Sequence, residues 1–244
     1  MITQYFLTGD CHGDFTRFYK LNQAVPEGET WGVIILGDAG FNFWLSKSEQ
    51  KMKKRIAYSY PNLVFYCVRG NHEERPENLL DIAYIFDENV GNTIMMQPDF
   101  PYIRYFIDGE VYNINSKKTL VIGGSYSVDK WHRLERQAKG GYGGWFKDEQ
   151  LTKEEMLQIT EKSRDQYFDL VLAHTCPLSY QPRDLFLSCV NQNTVDNSME
   201  LWLEELINQI DFKYFLFGHY HADRVINNKF HMLYYDILPL EKFS

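Results

Sequence analysis

The chain has 244 residues, of which 44% are hydrophobic and 24% charged, and its formal net charge is −8 at pH 7. This composition excludes an intrinsically disordered chain, and the acidic balance disfavours general coating of nucleic acid. The apolar runs fall far short of the ~20 residues that a membrane span requires, so we expect a soluble protein with no membrane partner.

Four cysteines, Cys11, Cys67, Cys176 and Cys189, contain no CxxC pair. Reduced thiols in a cytoplasmic protein are the expected state. A strand-like run at the start of the chain leads directly into a polar motif at Asp10, so no targeting peptide is expected.

Short apolar runs alternate with helical patterns in the first part of the chain, and this order predicts a βαβαβα arrangement. The predicted strands are Tyr5–Thr8, Gly32–Leu36 and Leu63–Val68, and the predicted helices are Asp14–Ala24, Ser46–Ser59 and Pro76–Phe86.

The middle of the chain predicts an antiparallel meander, followed by a glycine-rich charged loop, a capped helix from Thr152, and a strand. A helix with an apolar face follows from Met199 to Ile210. After it come a strand and a terminal hairpin through Asn227–Asn228. The meander strands are Ile103–Ile107, Val111–Ile114 and Thr119–Ile122, the loop is Ser125–Lys147, and the later strands are Leu170–Ala173 and Tyr214–Phe217. Because linkers and repeats are absent from the sequence, we expect residues 1–244 to form one α/β domain.

Polar side chains follow five of the predicted strands. These are Asp10 and His12, Asp38, Asn71 and His72, His174, and His219 and His221. The first three segments are spaced close to the ~30 residues of a βαβ unit, which predicts that they stand at the carboxyl ends of successive parallel strands. Ligand sites in open α/β sheets form along that edge.

This set of oxygen and nitrogen ligands, with no thiolate, suits divalent ions such as Mn, Fe or Zn. Eight such groups are too many for one tetrahedral ion, and a carboxylate can bridge two ions ~3.5–4 Å apart. Asp10 with His12, and His219 with His221, are spaced two residues apart, so each pair is expected to face one ion.

The ordered motifs GDxHG, GD, GNHE, H and GHxH, from Asp10 to His221, resemble the calcineurin-like metallophosphoesterase family. The run from Gly123 to Lys130 is similar to that of bacterial and prophage members. The resemblance implies a two-layered β sandwich flanked by helices, with a dinuclear metal centre. It implies that Asp10, His12, Asp38 and His221 bind the first metal, that Asp38, Asn71, His174 and His219 bind the second, and that His72 is a catalytic residue outside the ligand set.

The resemblance and the ligand set together predict a dinuclear phosphoester hydrolase in which a metal-bridging hydroxide attacks phosphorus. A phosphomonoesterase is favoured, and its expected partner is a phosphorylated small molecule, nucleotide or phosphoprotein. A phosphodiesterase or nuclease is the alternative, and a catalytically silent metal-binding module is an alternative of another class.

Two further expectations concern residues around the metal ligands. Phe41 occupies the place where the family's carboxylate partner of the catalytic histidine is expected, so Asp14 or Glu73 is expected to orient His72. The segment from Lys130 to Trp145 is expected to select the substrate. Within it, Arg133 and Arg136 are expected to bind phosphate, and Trp131, Tyr142 and Trp145 to stack on a ring. If that segment plays no part in substrate selection, the segment Tyr180–Asn193 is expected to select the substrate instead.

Overall fold

The computed structural model of the protein describes residues 1–141 and 144–243. In chain order the strands are β1 (Gln4–Thr8), β2 (Trp31–Leu36), β3 (Leu63–Val68), β4 (Ala83–Asp87), β5 (Asn92–Met96), β6 (Ile103–Tyr105), β7 (Val111–Ile114), β8 (Lys117–Ile122), β9 (Tyr167–Ala173), β10 (Asp211–Phe217), β11 (Arg224–Val225), β12 (Phe230–Met232) and β13 (Leu238–Pro239). The α-helices are α1 (Tyr19–Ala24), α2 (Lys47–Ser59), α3 (Lys130–Ala138), α4 (Lys153–Ser163) and α5 (Ser198–Leu206). Short 3-10 turns include Thr16–Phe18, Pro76–Asn78 and Arg183–Leu185.

The strands form two sheets with a parallel centre in each. The first sheet has the order β13-β1-β2-β3-β6-β5-β4, and β1, β2, β3 and β6 run parallel. The second has the order β11-β12-β10-β9-β8-β7, and β12, β10, β9 and β8 run parallel. Parallel strands are usually buried on both faces, and all six residues of β2 are indeed buried.

The two sheets pack face to face. Leu7, Ile34 and Val68 of the first sheet share one buried cluster with Leu172 and Leu216 of the second. Side chains that alternate along each strand point to the opposite faces, which the helices cover. The predicted two-layered β sandwich flanked by helices is therefore confirmed.

Helices α2, α4 and α5 bury apolar residues against the outer faces of the sheets. Ile56 of α2 packs with the first sheet, whereas α4 and α5 pack on the second. Thr152 caps α4 as predicted, because its Oγ accepts the Glu155 N–H at 3.2 Å while Oε2 of Glu155 accepts the Thr152 N–H at 2.6 Å. The predicted apolar face of α5 is buried, but the helix ends at Leu206 rather than at Ile210. Within the described ranges, no helix combines the length and the apolar character needed to cross a bilayer.

The helix predicted at Pro76–Phe86 is wrong. Only a 3-10 turn forms at Pro76–Asn78, and the chain then continues as β4, which pairs antiparallel with β5 at the edge of the first sheet. Tyr84 and Phe86 of β4 are exposed. Of its three large apolar residues only Ile85 packs against the core, so the apolar pattern of this edge strand does not mark a helical face directed to the core.

The meander predicted for residues 103–122 is also wrong in part. Strand β6 belongs to the first sheet, where it lies parallel to β3, whereas β7 and β8 form an antiparallel hairpin in the second. The chain thus crosses between the sheets after β6. In addition, the segment predicted as a loop at Ser125–Lys147 contains helix α3.

Candidate metal centre

The polar segments that follow β1, β2, β3, β9 and β10 meet at one edge of the sandwich. Three groups of acidic and histidine side chains bring their ligand atoms within 4.8 Å of one another. These groups are Asp10 with His12 and His221, His12 with Asp38 and His72, and Asp10 with Asp38 and His174. They share members, and Asn71 and His219 lie in contact with them, so these side chains form one continuous cluster.

Four residues of this cluster have left-handed backbone conformations. The φ angles of His12, Asp38, His219 and His221 are 46°, 49°, 68° and 52°. This region is uncommon for residues other than glycine, and such strain persists where the surrounding structure holds it, often at functional sites. The tight turns after the strands are therefore part of how the cluster is built.

Glycines beside the cluster allow the chain segments to approach closely. A Cβ on Gly37 would lie 2.0 Å from Nδ1 of His174, and a Cβ on Gly70 would lie 1.9 Å from Oδ1 of Asp38. Either contact is far shorter than van der Waals distance. A side chain at these positions would displace the groups that form the cluster.

The first predicted ligand set surrounds the side chain of Asp10. Nε2 of His221 lies 3.1 Å from Oδ2 of Asp10 and 2.9 Å from Nε2 of His12. Nε2 of His12 lies 3.7 Å from Oδ2 of Asp10 and 3.9 Å from Oδ2 of Asp38. Donor atoms ~2.1 Å from one ion have separations of this size. The structure thus brings all four side chains together.

The second predicted set surrounds Asn71. Its Oδ1 lies 2.8 Å from Nε2 of His174 and 3.2 Å from Nδ1 of His219. Nε2 of His174 is also 3.8 Å from Oδ1 of Asp38. Nδ1 of His174 lies 2.8 Å from the carbonyl oxygen of Leu36, which fixes the ring and leaves Nε2 directed at the cluster.

The buried carboxylates of the cluster fit a bound cation. Asp10 is 0% exposed and Asp38 is 2% exposed. Among the described residues, the ion pairs of both carboxylates involve only histidines. Buried charges require a compensating partner, and carboxylate oxygens with imidazole nitrogens are ligands for divalent Mn, Fe or Zn. The donor set therefore fits such ions.

The electrostatics favour an ionised carboxylate at Asp38 and a neutral imidazole at His219. Burial raises the pKa of Asp38, but His72, His174 and His12 outweigh it and hold that pKa below its usual range. Burial lowers the pKa of His219 to about 3, and His174 contributes in the same direction. A metal ligand must offer a carboxylate oxygen or the lone pair of a neutral imidazole. Asp38 and His219 meet these conditions, whereas the hydrogen bond with Asp10 raises the pKa of His221 and favours its protonated form.

His72 lies at the margin of the cluster, beside an arginine. Its Nδ1 is 3.8 Å from Oδ2 of Asp38, and its Nε2 is 3.7 Å from Oδ1 of Asp129. Nη2 of Arg133 lies 2.9 Å from Nδ1 and 3.0 Å from Nε2 of His72, and Nε of Arg133 donates to Asp129 at 2.7 Å. The guanidinium donates to whichever ring nitrogen lacks its proton. Arg133 thus contacts the imidazole directly, and Asp129 fixes the guanidinium.

The prediction that Asp14 or Glu73 orients His72 is wrong. Oε1 of Glu73 accepts the backbone N–H of Gly70 at 2.7 Å, and Oδ1 of Asp14 accepts the N–H of Thr16 at 2.9 Å. Both carboxylates are thus engaged with their own local backbone. The carboxylate outside the metal-ligand set that faces the ring comes instead from the segment after β8.

That segment also supplies side chains that the sequence did not single out for a role in the site. Nδ2 of Asn71 donates to Oγ of Ser127 at 2.7 Å, and Oγ of Ser125 lies 3.1 Å from Nε2 of His219. The signal was present in the sequence, because the run Gly123–Lys130 follows β8. That strand lies parallel to β9, so its carboxyl end reaches the same edge.

A pocket of about 360 Å³ opens beside the cluster. One wall is formed by members of the cluster, including His72, His219 and His221. The opposite wall comes mainly from the segment 181–197, which includes Leu185 and Phe186. The pocket thus joins the candidate metal centre to the segment that the sequence offered as its second choice for substrate selection.

The residues first predicted to select the substrate do not lie together at one site. Arg133 is buried beside the histidine, as described above, whereas Arg136 is exposed on the next turn of α3. Trp131 and Trp145 are not among the described residues that line the 360 Å³ pocket. Tyr142, also expected to stack on a ring, lies outside the described residues.

Comparison with known proteins identifies a family. The family described as calcineurin-like phosphoesterase matches residues 4–223. Curated protein sequences give no significant match. Among solved structures, the chain is similar to the phosphopantetheinyl hydrolase PptH from Mycobacterium tuberculosis, with a TM-score of 0.45 and 12% identity over 95% of this chain and 88% of that one. The family match includes all five polar strand-end segments.

Proposed function

Because the chain belongs to the calcineurin-like phosphoesterase family, we propose that it is a phosphoester hydrolase that works with two divalent metal ions. The supporting observation is the position of Asp38. This buried carboxylate lies within 3.9 Å of ring nitrogens of His12, His72 and His174, between the two predicted ligand sets. A carboxylate with two oxygens suits the bridging position of a metal pair.

In this proposal Asp10, His12, Asp38 and His221 hold one ion, and Asp38, Asn71, His174 and His219 hold the other. When bound, such ions supply Lewis acidity that activates water and polarises the phosphoryl oxygens. The chain positions these ligands through hydrogen bonds in which the carbonyl oxygen of Leu36 and the hydroxyl of Ser127 accept, and through the contact of Ser125 with His219, since outer partners fix the orientation of ligands.

His72 is proposed to act on the substrate rather than to bind metal. Its ring lies beside the ligand sets, in the wall of the pocket, where it reaches a phosphoryl or leaving oxygen. Protonation or stabilisation of that oxygen contributes ~10²–10⁴-fold in acid–base catalysis. Arg133 is a positioning residue in this scheme, because it contacts the ring of His72 directly.

A phosphate monoester is the proposed substrate type. Among the described residues that line the pocket, none is lysine or arginine. A second phosphate or a nucleic-acid strand placed there would lack the cationic partners that such groups usually receive. The phosphodiesterase alternative is tested directly by comparing para-nitrophenyl phosphate with bis-(para-nitrophenyl) phosphate on the metal-reconstituted protein. Faster turnover of the diester would reject the monoester proposal.

Metal content tests the bridging role of Asp38. Elemental analysis after reconstitution and desalting should find about two ions per chain. Asp38→Asn should lower this number and abolish most activity, because the change disturbs both ions. Asp99→Asn, at an exposed position in the loop between β5 and β6, is the matched control. A maximum of one ion in the wild type, unaffected by Asp38→Asn, would contradict the bridge.

Substitution of His72 separates chemistry from metal binding. His72→Gln should retain the metal content of the wild type but lower kcat by ~10²–10⁴-fold. His132→Gln, which removes an exposed imidazole from α3, should leave both unchanged. Wild-type turnover by His72→Gln with a full metal complement would disprove the catalytic role.

A further inference from the structure

The pocket beside the candidate metal centre has an apolar wall that is only partly accounted for by packing against the core, which Leu185 contacts. The segment 181–197 contributes Leu185, Phe186, Leu187, Val190 and Val195 to its lining. Leu187 is 59% exposed, so its side chain is not part of the core. Single exposed apolar residues are ordinary, but a contiguous set beside a polar site indicates a surface that a ligand covers.

This wall is held in place at several points around its length. Arg224 donates to both carboxylate oxygens of Asp184, at 2.9 and 2.7 Å. Nε2 of Gln181 donates to Oδ1 of Asn197 at 3.1 Å and so links the two ends of the segment. The apolar side chains are therefore presented from an anchored segment.

The other side of the pocket continues the apolar surface. Tyr126 and Val128, which follow β8, also line it, and the hydroxyl of Tyr126 donates to the carbonyl oxygen of Thr194 in the segment 181–197 at 3.4 Å; Val128 is 39% exposed. Apart from the ligand sets and His72, the ionisable groups of the described lining are the carboxyl groups of Asp129 and Glu200, and none is lysine or arginine. An anionic group in this part of the pocket would face Asp129 without a cationic partner, whereas an uncharged apolar group would be buried from water.

We propose that the pocket binds the alcohol part of a phosphate monoester, and that this part is apolar and carries no second anionic group. The inference rests on the proposed function, because it places the phosphoryl group at the candidate metal centre. From there the alcohol part extends along Leu185, Leu187 and Val190. A volume of about 360 Å³ lies within the range of pockets that enclose small organic molecules.

The length of an alkyl chain gives a direct test in the wild-type protein. Propyl and hexyl phosphate have leaving groups of similar reactivity, so a difference in kcat/KM reports binding of the chain. Each buried methylene contributes ~0.8 kcal/mol, or about fourfold at 1.4 kcal/mol per tenfold. Full burial of three more methylenes therefore predicts a preference of about 50-fold for hexyl phosphate. Glycerol phosphate should be hydrolysed no better than propyl phosphate.

Variants of the apolar wall provide a second test of this proposal. Leu187→Asn combined with Val190→Asn should reduce the hexyl-to-propyl preference by about tenfold or more, with glycerol phosphate unchanged within about twofold. Leu157→Asn, at a position of α4 that is 56% exposed, is the control and should keep the preference. Equal kcat/KM for both alkyl phosphates in the wild type, or a preference for glycerol phosphate, would overturn the proposal.

A binding measurement separates failure of the pocket from failure of the proposed function. Calorimetry with propylphosphonate and hexylphosphonate, which carry no ester bond, reports recognition without turnover. If no ester is hydrolysed but hexylphosphonate binds tighter by the same factor, the hydrolase proposal fails and the pocket stands. If esters are hydrolysed but both phosphonates bind equally, the pocket proposal is wrong and the hydrolase stands.

Discussion

Glu200 makes the stability of the protein depend on pH in a direction that the structure determines. It lies in the first turn of α5 and is 3% exposed. Its Oε1 accepts the hydroxyl of Thr175 at 2.7 Å, whereas its Oε2 has no hydrogen-bond partner among the described residues. Burial raises the pKa of Glu200 from 4.5 to about 7. The neutral carboxyl is therefore favoured in the folded state.

The sign follows from proton linkage. Between pH 4.5 and about 7 the folded state holds a proton on Glu200 that the unfolded state has largely released. The stability from this site is fully present below pH 4.5 and is lost as pH rises through about 7. At ~1.4 kcal/mol for each pKa unit, the loss amounts to about 3 kcal/mol.

Glu200→Gln replaces the carboxyl with a neutral group of the same shape and removes this dependence. The variant should match the wild type near pH 5 within ~1 kcal/mol and exceed its free energy of unfolding by about 3 kcal/mol at pH 8. Urea unfolding with a chelator present, analysed as the difference between the two proteins at each pH, cancels the titration of other groups. Glu205→Gln, exposed on the same helix, should change the stability by less than ~0.5 kcal/mol throughout. A difference for Glu200→Gln that does not grow with pH would refute the reasoning.

Two further predictions concern local structure. Gly37→Ala places a Cβ 2.0 Å from Nδ1 of His174 at a φ of 93°, so it should cost about 3 kcal/mol or more and reduce metal content. Gly28→Ala is the control, because its φ is 81° and nothing lies within 4 Å of the added Cβ. It should cost only ~1–2 kcal/mol of stability and leave metal content unchanged. An equal loss of stability and metal in the two variants would show that the contact with His174 is not the cause. Thr152→Ala removes the side-chain acceptor of the capping box that Thr152 forms with Glu155 at the start of α4. It should lower the free energy of unfolding, measured with urea, by ~1 kcal/mol. An unchanged free energy of unfolding would show that the cap is dispensable.

The sequence by itself determined the strands that carry the candidate site. β1, β2 and β3 are runs of largely buried apolar residues, and such runs remain recognisable because both faces of a parallel strand are covered. The glycines and polar residues after them are equally local signals, since a tight turn off a strand requires particular residue types. For this reason the polar strand-end residues were identified from the sequence, and the family resemblance then assigned them as metal ligands. The structure brings these side chains together.

The elements that were mispredicted depend on pairing between distant segments. β4 lies at a sheet edge where its larger apolar residues, Tyr84 and Phe86, are exposed, so most of its apolar pattern does not report a buried face. β6 pairs with β3 and β5 in the first sheet instead of with β7, the next strand along the chain. Local sequence cannot distinguish these partners, because a strand offers the same backbone donors and acceptors to any neighbour.

Only the tertiary structure decided what surrounds the ligand set. Asp129 and Arg133 reach His72 across 57 and 61 residues of chain because the segment after β8 folds over the end of β3. Leu187 and its neighbours form a pocket wall because the segment after β9 meets Tyr126 and Val128 at the same pocket. These contacts join segments that are far apart in sequence and follow no local pattern. The physical reason is that only certain side chains can bind a metal, so the residue type alone marks a candidate ligand. A contact that orients or encloses a group depends instead on which surfaces meet in the folded chain.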